Sequence, residues 1–148
     1  MGEGFEHVVL TGGMVQVTGQ GASLQEAFAQ AALGVFALIG QRADSDHEMR
    51  EVRAHGQSPC DLLLNWIAEC LYVHELEAFI PSRIEFASFP ERPDAGGEAL
   101  RLHAFLHGEP IEADARQSDP PAPTGAARVE QNPDGFDAVV TLRPGAAQ

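Results

Sequence analysis

No lysine occurs anywhere in the 148 residues; all nine cations are arginine. Schiff-base chemistry, a phosphate-loop lysine and a lysine general base are thereby excluded. No apolar run approaches the ~18 residues that suggest a membrane-spanning helix, so none is expected. Met1–Glu6 carries no basic region followed by an apolar stretch, so no secretory leader is read there. Cysteine is scarce as well. Cys60 and Cys70 fall in one expected helix, where ten residues at ~1.5 Å each set them about 15 Å apart, too far for an internal disulfide. Two cysteines at that spacing are also too few for a zinc site and read as small core hydrophobes. With the missing leader, this cysteine usage predicts a cytoplasmic protein.

Acid is abundant. Nine basic residues against 22 acidic ones give 9 − 22 = −13. Such a field repels phosphate backbones, so a sequence-independent grip on nucleic acid is not expected. The hydrophobic share of 44% and a mean hydropathy of −0.14 fit a soluble globular chain. At this length one domain, residues 1–148, is expected, with neither an internal repeat nor a dividing linker.

Apolar periodicity orders the elements. His7–Leu10 and Met14–Thr18 read as strands around a Thr11-Gly12-Gly13 turn, and Gly19-Gln20-Gly21 reads as a break. The break is not a phosphate loop, because the third glycine of that pattern is missing where Leu24 stands. Ser23-Leu24-Gln25-Glu26 is a capping box, and apolar residues at three- and four-residue spacing predict a helix over 24–39, closed by Gly40. Arg42–His47 reads as a linker and Glu48–Ala54 as a short exposed strand. Ser58 as cap, Pro59 at the first position and Asp61 in the first turn open a second helix, 59–74. Leu62, Leu63, Trp66, Ile67, Cys70 and Leu71 form its buried stripe.

The period then switches to two. A strand is expected over Arg83–Phe89, a turn at Pro93–Gly97, a returning strand Leu100–Leu106, a turn at Gly108-Glu109-Pro110 and a short strand around Ile111. Arg116–Pro123 has three prolines in eight residues and reads as an irregular loop. Arg128-Val129 and Phe136–Leu142 pair around Asn132-Pro133-Asp134-Gly135, leaving 144–148 as a tail. The expected class is α+β: one mixed, largely antiparallel sheet with the two helices packed on one of its faces.

Chemistry-bearing clusters are few. His103 and His107 share a strand face near Glu109, but four residues of strand put them ~13 Å apart, beyond sharing one ion. They read as solvated surface histidines. Glu69, Glu75, Glu77 and His74 form an acidic helix exit, most simply a solvated face. Neither Ser45 nor Ser58 has a nucleophile-elbow setting. No catalytic, cofactor-binding or metal-ligating residue is assigned, and no enzyme activity is expected.

Three segments carry a resemblance. Gly21-Ala22-Ser23-Leu24-Gln25-Glu26-Ala27-Phe28, the helix Asp61–Leu71 (DLLLNWIAECL) with its exit Val73-His74-Glu75-Leu76-Glu77, and Gly108-Glu109 resemble the archease family. The resemblance implies a mixed sheet carrying two helices. It also implies a non-enzymatic role assisting a cytoplasmic 3′-phosphate RNA ligase in tRNA splicing and RNA repair. The family's metal-binding aspartates are not matched. The H-T-A-D motif becomes Leu10-Thr11-Gly12-Gly13-Met14, with Gly13 or Met14 at the ligand position, and the C-terminal V-x-D-I becomes Val140-Thr141-Leu142-Arg143-Pro144. The K-A-x-T-Y-H motif becomes Pro121-Ala122-Pro123-Thr124-Gly125-Ala126. A hard divalent cation needs several oxygen ligands, so the family's Ca²⁺ or Mg²⁺ site is expected to be lost and no cofactor is expected. The implied partner is a protein, with an RNA ligase the leading candidate; neither nucleic acid nor membrane is expected, and the residues do not fix an oligomeric state. The competing reading is a repurposed, metal-independent protein- or small-ligand-binding domain on the same scaffold.

Overall fold

A computed structural model describes residues 4–39, 45–90, 99–111 and 121–143. At the N-terminus β1 (Gly4–Val9) and β2 (Val15–Gly21) form an antiparallel hairpin closed by a 3-10 turn over Thr11–Gly13. Gly12 and Gly13 take φ of 86° and 84°, the left-handed region where a side chain would be strained. The expected break at Gly19–Gly21 is instead the end of β2. These glycines are there for proximity. A Cβ on Gly19 would collide with the backbone of Ala27 and Ala31, so their absence lets the next helix lie directly on the strand.

That helix, α1 (Leu24–Ile39), begins as its capping box predicts. Glu26 N–H donates to Ser23 Oγ at 3.1 Å, and the Glu26 carboxylate accepts from Ala22 N–H at 2.9 Å. Gly40, expected to close it, lies outside the described residues. β3 (Glu48–Gly56) is longer and better packed than expected, alternating strictly so that Val52, Ala54 and Gly56 are buried. In α2 (Pro59–Glu77) the Ser58 hydroxyl accepts from Asp61 N–H at 3.1 Å. This helix runs past the expected end at His74, and Ala78 in the left-handed region (φ 53°) terminates it, its N–H donating to His74.

With the helix end moved on, β4 (Phe79–Ser88) starts four residues earlier than the expected Arg83. β5 (Leu100–Pro110) absorbs Gly108-Glu109-Pro110, which is strand rather than turn, paired with Phe79–Pro81. Of the short strand expected around Ile111, only Ile111 lies among the described residues; it is outside any strand there, and its N–H donates to Ala78 O at 2.9 Å. β6 (Ala122–Asn132) reaches back into the proline-rich stretch through an irregularity between Pro123 and Ala127, while 116–120 lie outside the described residues. β7 (Gly135–Arg143) completes the expected final hairpin, whose Asn132 side chain accepts from Asp134 N–H at 3.0 Å. The turn expected at Pro93–Gly97 and the 144–148 tail lie outside the described residues.

The class is α+β, and every described ladder is antiparallel. The single expected sheet resolves into two, β1-β2-β7-β6 and β3-β5-β4. Period-two patterning reports which face a strand buries but not its neighbour, so the partition was not visible one strand at a time. The β2–β7 ladder ties the N-terminal hairpin to the C-terminal one, and β3, β4 and β5 form the second sheet between them in sequence. Each helix packs on strands of both sheets, and one continuous core gathers Phe28, Trp66, Leu62, Leu106 and Leu142 from both helices and both sheets. Trp66 is core, as expected; its indole N–H donates to Phe28 O at 2.9 Å and joins the helices.

Candidate functional site

The positions carrying the family's motifs are far apart in sequence, yet the sheet brings them to one end. Val15 pairs with Leu142 as the last rung of the β2–β7 ladder, so Met14, just before β2, and Arg143, at the end of β7, lie next to that rung. On the other side of β7, Arg143 pairs with Ala122 and Leu142 with Pro123. Thr124 donates to Thr141 O at 3.1 Å, fixing the altered third motif against the same strand. The turn beneath is closed by Leu10 N–H donating to Met14 O at 2.7 Å.

With Gly13 or Met14 at the first position, this assembly offers at most a thioether, a guanidinium and hydroxyls where a hard cation would require carboxylate oxygens. The donor set does not fit Ca²⁺ or Mg²⁺. Among the described residues no group of three or more His, Cys, Asp or Glu is placed to hold a metal ion.

The histidines singled out in the sequence are not brought together. His103 Nε2 lies 2.7 Å from Glu51 Oε2 on β3, and His107 Nε2 lies 2.8 Å from Glu85 Oε1 on β4. They are therefore half-buried cross-strand ties to separate carboxylates, not freely solvated side chains. Glu51 is held below the usual carboxylate range chiefly by the His103 hydrogen bond, with Arg53 at 3.4 Å adding to it. Glu109 turns to Ser45 instead, accepting its backbone N–H at 3.1 Å.

At the acidic helix exit Glu69, Glu75 and Glu77 are exposed, as a solvated face requires, and only His74 departs from it. Glu77 pairs with Arg50 at 2.6 Å, while His74 is completely buried, with Nδ1 3.2 Å from Phe79 O. Both cysteines are free thiols; Cys70 is buried, and burial pushes its pKa well up, with Glu69 adding to the shift.

A surface hollow of about 110 Å³ lies at the opposite end of the four-stranded sheet, lined by Gln20, Asn132, Asp134 and Asp137 among others. One feature escaped the sequence reading. Arg53 pairs directly with His103, and His55 with Arg101, so four basic side chains occupy adjoining positions on one sheet face. Only the β3–β5 register reveals it, because the two halves lie some fifty residues apart in sequence.

Comparison with known proteins gives the lineage. Residues 12–142 match the model of the Archease protein family. The chain is 27% identical over 139 residues to "Protein archease" of Pyrococcus abyssi and 30% identical over 139 residues to that of Thermococcus gammatolerans. Each match covers 90% of both chains. The solution structure of Methanobacterium thermoautotrophicum protein 1598 shares the fold at a TM-score of 0.69 and 24% identity, over 94% of this chain and 97% of that one. The fold is α+β, and the family match makes the chain an accessory protein rather than an enzyme. The chain belongs to the archease family.

Proposed function

We propose that this chain acts as an archease-type accessory protein in the cytoplasm, promoting a 3′-phosphate RNA ligase in tRNA splicing and RNA repair by protein contact, without the family's divalent cation. The observation that carries the reading is the family match spanning residues 12–142. The net charge of −13 supports it, since an acidic surface complements the basic nucleic-acid channel of an RNA-joining enzyme.

A second reading, a repurposed metal-independent binding domain, is favoured by one observation: Gly13-Met14 and Arg143, which stand where the resemblance would put aspartates, flank the Val15–Leu142 rung and carry no carboxylate. The deciding experiment is multiple-turnover RNA ligation by the ligase of the same cell, with and without this protein, beside calorimetric titration with Ca²⁺ and Mg²⁺. Restored turnover with no stoichiometric divalent binding is the expected result. No effect on turnover at any divalent concentration transfers the assignment to the second reading, and a micromolar divalent site in this protein overturns the loss of the cation.

A further inference from the structure

In a chain this acidic, the outward face of the β3-β5-β4 sheet stands apart. Arg53 and His55 on β3 lie directly opposite His103 and Arg101 on β5, and Arg83 on β4 lies opposite His107. Three of the nine arginines and three of the six histidines thus share one face. Directly opposed side chains on an antiparallel pair project to the same side. Glu51, Glu85 and Asp46 pair with Arg53 and His103, with His107 and with Arg83. Among the described residues no carboxylate pairs with Arg101.

Between the two basic clusters stands Phe105, half-buried, its ring centroid 5.0 Å from that of His103. The carboxylates of Glu51 and Glu85 flank it as its direct cross-strand partners. Two register shifts in β4, at Pro81/Arg83 and Phe86/Ser88, bracket the patch, as bulges often do beside binding sites.

We propose that this face binds single-stranded RNA, with one base stacked on Phe105, a phosphate on the Arg53–His55–Arg101–His103 cluster and a further phosphate on Arg83 and His107. Cations beside an aromatic platform on an open sheet are the combination that holds single strands. The two clusters are separated by about 13 Å of strand, more than one nucleotide's phosphate can serve at once, so only a strand engages both. Glu51 and Glu85 accept hydrogen bonds from ribose 2′-hydroxyls, which DNA lacks. The overall charge of −13 limits binding elsewhere on the molecule and confines it to this face.

The test is fluorescence anisotropy of a labelled oligouridylate with the full chain, and the assay contains no ligase. Its failure therefore leaves the accessory role standing, and failure of ligase stimulation leaves this site standing. Binding is expected to weaken about tenfold or more for Phe105→Ala and to be retained by Phe105→Tyr. Arg53→Gln/Arg101→Gln, both at exposed positions, is expected to reduce the slope of log K against log salt by ~0.7, the one phosphate this cluster holds. The deoxy oligonucleotide is expected to bind several-fold more weakly. No binding at low salt, wild-type affinity in the Arg53→Gln/Arg101→Gln protein, or equal affinity for the deoxy strand overturns the proposal. So does displacement by an acidic peptide at equal charge concentration, which would make the face a protein-docking one.

Discussion

Cys60 and Cys70 share one helix but not one chemistry. Cys70 is 1% exposed within the core, and a thiol reacts as its thiolate, which burial among apolar groups disfavours. Cys60, at the first turn of α2, is only partly covered. Iodoacetamide is therefore expected to label Cys60 in the native protein and to reach Cys70 only on unfolding, as mass spectrometry of timed digests would read. Equal labelling rates would contradict the burial. The shift also has a pH sign. The folded thiol's pKa lies above its unfolded value, so the stability it contributes is complete below the unfolded value and is lost as pH rises through the folded one. At this scale the sequence was readable wherever one residue has one local task. Ser23 and Ser58 cap, and Pro59 opens α2, as expected, because a helix start depends on the next few residues alone. His74 misled because its neighbours Glu75 and Glu77 are exposed while the helix turns it inward against Phe36, ring centroids 6.0 Å apart.

Elements meet at glycine. Gly19 on β2 lets α1 approach until backbone faces backbone, so Gly19→Ala must push the helix away or bend the strand. A loss of about 3 kcal/mol is expected in urea unfolding, the upper range for overpacking a core. A loss below ~0.5 kcal/mol would mean that the contact yields freely, as a tolerant surface position does. In the second sheet, β5 is held on each side by one histidine–glutamate tie. Glu51 titrates below its ordinary range, so its contribution is present at neutral pH and lost as pH falls through that lowered value. The urea midpoints of wild type and Glu51→Gln should differ near neutrality and converge in acid, once pH has fallen below that lowered value. A constant gap across that range would exclude the ionised carboxylate as its cause. Both helices and most strands were legible because burial on one face leaves a period in the sequence. Strand neighbours were not, and with them went the division into two sheets and the basic cluster on the β3–β5 pair, since register is set between segments distant along the chain. The site's motif positions were legible only through resemblance; that Met14, Thr124 and Arg143 converge follows from the β2–β7–β6 ladders.

For the molecule as a whole, charge is the dominant long-range feature. A net −13 on 148 residues exceeds what solubility alone calls for in a small domain, about 2–8 in magnitude. A field of that size draws a basic partner from beyond contact distance, but only within a screening length that shrinks from about 30 Å at 0.01 M salt to ~10 Å at 0.1 M. Steering therefore acts on the association rate, while dissociation depends on the contacts made after docking. Stopped-flow mixing with the ligase of the same cell is expected to show the association rate falling roughly tenfold or more between about 0.02 and 0.3 M salt, with the dissociation rate changing far less. An association rate flat across that range would leave the acidity with solubility as its only task, and the partner would then have to be sought by shape. A dissociation rate that carried the salt dependence instead would place the decisive charge pairs inside the interface rather than in the field around it.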